Sequence, residues 1–142
     1  MNEVYNCDCL DFLKSDRFKA LDKTRLVVVT DPPFNIGYHY GFYKDRMDEK
    51  SYFSMLSQIV GSAPYSVIIH YPEALHRLSM ELGRVPEKVV SWVYNSNTAK
   101  QHRDIAFYGI RPDMGKVRQP YKNPNDKRIR QRIANGSGGQ TL

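Results

Sequence analysis

Asp31-Pro32-Pro33-Phe34 gathers an unusual set of groups in four residues. A carboxylate, two backbone carbonyls and an aromatic ring share one stiff corner. Proline fixes φ, lacks an N–H and pushes the residue before it toward extended geometry, so the two prolines cannot continue a strand ladder and both Asp31 and Pro32 are held in β or polyproline conformation. The set suits a flat substrate that bears an exocyclic amine. Such an amine is a poor nucleophile, because its lone pair is delocalised into the ring. Acceptors around the nitrogen, here the Asp31 carboxylate and the Pro32 carbonyl, draw its hydrogens out of the ring plane and localise the pair. Phe34 stands next to them to stack on the ring and fix its plane for in-line attack.

The elements that must position this corner can be read from the pattern around it. Leu26, Val27, Val28 and Val29 form an apolar, mostly β-branched run, which predicts a strand buried on both faces of a parallel sheet. Open α/β sheets place ligands at the carboxyl ends of their strands, where the corner stands. Upstream, Glu3 to Cys7 reads as a short strand. Asp8 or Asp11 then caps a helix from Cys9 to Phe18, with Leu10, Leu13 and Phe12 facing inward. Strand, helix, strand is the start of a parallel βαβ unit.

Downstream, residues 35–48 form a loop with Tyr38, His39, Tyr40, Phe42 and Tyr43 set among Gly37 and Gly41. It reads equally as a lid, a stacking surface or core. Asp48 begins a helix with Tyr52, Phe53, Leu56, Ile59 and Val60 on one face, ending near Gly61. Tyr65 to His70 is a buried strand closed by Pro72, and His70 is read as a satisfied structural histidine. A helix from Glu73 to Leu82 stops at Gly83. Val89 to Tyr94 makes a fourth strand with Trp92 taken as core, and Ile105 to Tyr108 a further one. The fold class is α/β: a partial Rossmann-like sheet, mainly parallel with helices on both faces, over residues 1–95. A basic, irregular segment follows over residues 96–142, and Gly136-Ser137-Gly138-Gly139 reads as a flexible linker.

Charge separates the same two parts. Residues 1–96 carry 11 Lys and Arg against 12 Asp and Glu, whereas residues 97–142 carry 10 against 3. This asymmetry points to a polyanion-facing segment or to a solvated basic tail. Cys7 and Cys9 fit neither a metal-ligand nor a disulfide spacing, so reduced thiols and no metal are expected. No run has the length of a membrane span and no signal-peptide pattern opens the chain, so the expectation is a soluble, cytoplasmic protein with no membrane partner.

Asp31-Pro32-Pro33-Phe34 after a hydrophobic strand resembles the catalytic motif of the amino-group DNA methyltransferases, which act on adenine N6 or cytosine N4 of DNA. Asn6-Cys7-Asp8-Cys9-Leu10-Asp11-Phe12-Leu13, with Asp8 placed 23 residues ahead of Asp31, is similar to that family's cofactor-adenine motif. Phe34-Asn35-Ile36-Gly37 resembles the residues just after the motif in the subset whose cofactor glycine loop comes late in the chain. The resemblance implies S-adenosylmethionine as cofactor, with Asp8, Cys9 and Asp31 lining its site, and Asp31, Pro32, Pro33 and Phe34 as the catalytic set. An aspartate at the motif's first position favours adenine N6. It further implies that Lys100, Arg103, Arg111, Lys116, Arg118, Lys122, Lys127, Arg128, Arg130 and Arg132 face the phosphates of double-stranded DNA. A bacterial, archaeal or phage-encoded source is implied in the same way.

One departure is plain. The family's Phe-x-Gly-x-Gly cofactor loop has no counterpart in the chain. In the late-loop order that loop lies beyond Leu142, in a missing C-terminal half or on a second polypeptide, and the chain alone is then inactive. The competing expectations are a non-catalytic DNA-binding or interaction fragment, and a methyltransferase acting on RNA or a protein amide.

Overall fold

The computed structural model describes residues 3–93, 102–114, 118–119, 123, 125–136 and 140–141. The chain forms two compact units, Met1–Arg111 and Pro112–Leu142.

In the first unit Asp8 caps a short helix α1, Cys9–Lys14, by accepting from Leu10 N–H at 2.8 Å. The predicted single helix is broken at Ser15, whose extended backbone ends α1 and whose hydroxyl caps α2, Asp16–Lys19. A serine that bonds its own neighbours competes with the helical ladder in this way. Strand β1 follows at Val27–Thr30, then α3 at Glu49–Gly61 and β2 at Tyr65–His70. Helix α4 spans Pro72–Leu82, with proline in its first turn and Gly83 left-handed at its end. Strands β3, Lys88–Val93, and β4, His102–Tyr108, complete the sheet.

The sheet is mixed, with order β1-β2-β4-β3. Only β1 and β2 are parallel; β4 lies between β2 and β3 and runs antiparallel to both. The expectation of a mainly parallel sheet is therefore corrected. Helix α4 carries the chain from β2 over to β3, leaving a gap that β4 fills in the opposite direction. The strand expected at Glu3–Cys7 is also absent. That segment has no strand beside it among the described residues, and Arg17 holds it instead through Glu3, at 2.5 Å.

The core is Tyr52, Leu56 and Val60 of α3, Leu75 and Leu78 of α4, and Ile68, Ala106 and Tyr108 of the sheet. Both long helices thus cover the same face. Two burial expectations fail for this reason. Val29 points to the opposite face of an edge strand and is 75% exposed, and Trp92, expected in the core, is 49% exposed. A run of valines reports strand preference, while burial depends on what packs against it.

The second unit holds a basic helix α5, Lys127–Ala134, capped by Asp126. It also holds an antiparallel pair, β5 at Arg118–Gln119 and β6 at Gln140–Thr141. Of the expected linker, residues 137–139 lie outside the described residues. Among the described residues no helix is long and apolar enough to cross a membrane.

Gly109 ends β4 at φ +70°, and a Cβ there would stand 2.1 Å from the Pro64 carbonyl oxygen. Gly109→Ala is expected to lower stability by more than about 1 kcal/mol, through both strain and collision. A urea midpoint no lower than that of wild type would show that the turn accommodates a side chain.

Candidate active site

The proline corner follows β1 directly, and its two ends are anchored differently. The Pro33 carbonyl accepts from the Tyr52 hydroxyl at 2.6 Å, and the same hydroxyl meets His70 Nε2 at 2.7 Å. His70 Nδ1 accepts from Tyr71 N–H at 2.7 Å, so the ring proton resides on Nε2. The order of donation is then fixed: Tyr71 N–H to His70, His70 Nε2–H to the phenol, phenol O–H to Pro33. His70 is 2% exposed and satisfied, as expected. Burial, and then the Asp45 charge, hold the Tyr52 hydroxyl well above the ordinary phenol range. Because Pro33 is committed to Tyr52, Pro32 supplies the carbonyl that remains a candidate for a substrate amine.

Asp45 anchors the loop beyond the corner. Its carboxylate, 2% exposed, accepts from Asn35 N–H at 2.8 Å, Ile36 N–H at 3.2 Å and Tyr38 N–H at 3.0 Å. Asn35 sits at φ +58°, a left-handed conformation that asparagine tolerates better than most residues. Its side chain spans to Met47, accepting from Met47 N–H at 2.6 Å and donating to the Met47 carbonyl at 3.0 Å. Residues 35–47 are therefore a closed loop, and its aromatic residues are displayed on it. Tyr38 packs against Tyr40, and Tyr40 against Tyr43.

A cavity of about 390 Å³ opens at the corner, lined by Asp31, Phe34, Tyr38, Tyr40, Asp45 and Arg103 among others. Its volume lies at the small end of ligand pockets, roughly 300–1,000 Å³. Asp31 is exposed in it, whereas Pro32 lines the cavity but is buried as a whole residue. Phe34 packs against His70 and Tyr71, at 4.9 and 5.1 Å between ring centres. The Arg103 guanidinium lies over the Phe34 ring at 4.4 Å.

Asp8 and Cys9 do not line this cavity. Asp8 uses Oδ1 to cap α1. A carboxylate has further acceptor sites, so the cap leaves room for another donor. Burial raises the Cys9 thiol. The Tyr43 phenol is raised by burial and then by Asp45, with Cys9, Tyr40 and Asp8 contributing. Of the aromatic run Tyr38–Tyr40–Tyr43, the first two line the Asp31 cavity.

The basic residues divide. Arg103 belongs to β4 and the cavity, Arg111 is near the end of the first unit, and Lys127, Arg128, Arg130 and Arg132 lie along α5. Arg118 lies in β5, and Lys100, Lys116 and Lys122 fall outside the described residues. Among the described residues no group of three His, Cys, Asp or Glu side chains converges as a metal site would require. No family model matches the chain, and no curated protein matches it.

Three residues of this arrangement carry no motif. Asp45 sits in a loop whose closure no periodicity shows, Tyr52 reads as one of several core aromatics, and Arg103 reads as one cation of a basic tail. Asp45→Asn keeps one acceptor and turns an amide N–H₂ toward backbone donors. We expect a loss of about 1–3 kcal/mol and faster hydrogen exchange at Asn35, Ile36 and Tyr38; unchanged exchange would mean the loop closes without this carboxylate.

A phenol raised in the folded state contributes stability that is complete below its unfolded value, about 10, and is lost progressively as pH rises from there through the higher folded value. Urea midpoints should therefore be flat for this group below about pH 9 and fall above it, with a smaller fall in Tyr52→Phe. An equal fall in both proteins would place the effect on other tyrosines, such as Tyr43 and Tyr108, which burial also raises.

Proposed function

We propose that this chain provides the amine-activating wall of an S-adenosylmethionine-dependent DNA methyltransferase acting on an exocyclic base amine, adenine N6. The observation that supports this most is the Asp31 cavity. An exposed carboxylate follows a strand end, joined to a proline carbonyl and ringed by Phe34, Tyr38 and Tyr40. Asp31 and the Pro32 carbonyl accept the two amine hydrogens, which turns the nitrogen lone pair toward the open side of the cavity. The aromatic groups hold the extruded base in plane. The base loses its extra proton after it gains the alkyl group, when the nitrogen has become acidic, so no strong base is needed at Asp31.

Part of the cofactor has residues suited to receive it. Asp8, beyond its cap of α1, retains acceptor capacity for the amino group of the cofactor's adenine. When bound, S-adenosylmethionine supplies an electrophilic methyl group. The glycine loop that would cradle its methionine part is not among these residues, and we assign it to a second polypeptide or a further half of the protein. β1 offers the place for it. Among the described residues β1 has β2 as its one neighbour, so its outer side can take a further parallel strand.

A second reading keeps only the DNA contact. Helix α5 carries Lys127, Arg128, Arg130 and Arg132 with none of its residues buried, an arrangement that binds phosphates without any chemistry at Asp31.

The deciding experiment offers labelled S-adenosylmethionine and adenine-containing duplex DNA to the chain alone and to the chain with a polypeptide bearing Phe-x-Gly-x-Gly. We expect N6-methyladenine in the second mixture only, and none when Asp31→Ala replaces wild type. Product with the chain alone would refute the split of the site. No product in either mixture, with folded proteins, would refute methyl transfer and leave the DNA-binding reading.

A further inference from the structure

The cavity holds a feature that base activation does not use. β4 runs antiparallel to β2 and pairs Asp104 with His70, so it begins at the rim where β1 and β2 end. Arg103, one residue earlier, is thereby delivered beside Asp31 and Phe34. In an all-parallel sheet the strand beside β2 would place its carboxyl end there instead. The guanidinium lies 4.4 Å from the centre of the Phe34 ring and 5.9 Å from that of Tyr71. The first distance is that of a stacked pair. A planar base laid on that face of Phe34 must take the place of the guanidinium. The other contacts of the ring, with His70 and Tyr71, belong to residues that are buried around it.

We propose that the Asp31 cavity binds a nucleotide unit and not a base alone, with Arg103 as the specificity-determining residue that takes the phosphate. This rests on the reading of the cavity as a base-amine site. The guanidinium covers one face of the half-buried Phe34 ring. When a base enters, the side chain moves off the ring. A long side chain rooted at the rim stays within reach of whatever group accompanies the base, and in a nucleotide that group is a phosphate. The guanidinium fork matches phosphate oxygens with two parallel N–H donors, and it brings charge to a cavity whose other charged lining groups, Asp31 and Asp45, are anionic. Without that cation, two carboxylates would repel a phosphate. The same side chain therefore admits the anionic substrate and withholds the ring from other ligands.

The test compares deoxyadenosine with deoxyadenosine 5′-monophosphate on the ¹⁵N-labelled full chain at low salt, with no methyl donor present. It follows the arginine Nε–Hε resonances, with that of Arg103 identified by its loss in R103K. We expect the monophosphate to bind about tenfold more tightly, as one charge-assisted bidentate pair allows, and to move the Arg103 resonance. In R103Q the preference should vanish, and in R103K, which keeps charge without the fork, it should survive in part. Equal binding of the two ligands by wild type would overturn the proposal, and this comparison needs no variant to fold. So would a preference retained in R103Q, or no binding of either ligand; Arg103 would then be a counter-charge for the carboxylates. Because no methyl donor is used, failure here is separate from failure of methyl transfer. A phosphate preference in a chain that never methylates DNA would leave the nucleotide site standing without the chemistry.

Discussion

The Tyr52 hydroxyl is where the hydrophobic core of this protein meets its candidate site. Its ring packs with Leu56, Ile68 and Leu78, while its oxygen donates to Pro33 and accepts from His70. A buried hydroxyl left without partners costs free energy, so packing the ring into the core obliges the oxygen to find its acceptor. The nearest acceptor is a carbonyl that proline has already deprived of a helical or ladder role. The direction of the chain after β1 is therefore set from beneath by α3, and Asp31 and Phe34 take their places as a consequence. Asp45 does the corresponding work from the side, by gathering three backbone N–H groups of the next segment. The corner is held between a helix and a carboxylate that lie outside the motif.

Much of this frame was legible because its signals are local. Asp48 with the spacing of Tyr52, Leu56 and Val60 specifies α3, and Pro72 with Gly83 brackets α4 to within a residue. The strand Tyr65–His70 needed only its β-branched centre and a proline after it. What failed was pairing and burial, which belong to elements far apart in the chain. Glu3–Cys7 has strand-like residues but no neighbouring strand to bond among the described residues. Val27–Val29 looks doubly buried, yet among the described residues it lies at an edge, with Val27 and Val29 exposed. Nothing in Ile105–Tyr108 says that it runs antiparallel between two strands that precede it.

The same distinction applies within the site. The Asp31-Pro32-Pro33-Phe34 corner and the Asp8 cap are short-range features and stand out from the sequence. Arg103 is separated from Phe34 by 69 residues and reaches it through the antiparallel course of β4. Asp45 closes a loop of ten residues back to Asn35 through hydrogen bonds that leave no trace in hydropathy. The motif thus marks where chemistry is expected, while long-range contacts decide what else lines the cavity.

The open side of β1 has a practical meaning of its own. Val27 and Val29 bear no charge or proline that would discourage another chain from pairing with the backbone between them. Edges of this kind template sheet growth between molecules, and proteins ordinarily guard them with lysine, proline or a bulge. Among the described residues, no such guard stands at the Val27–Val29 edge.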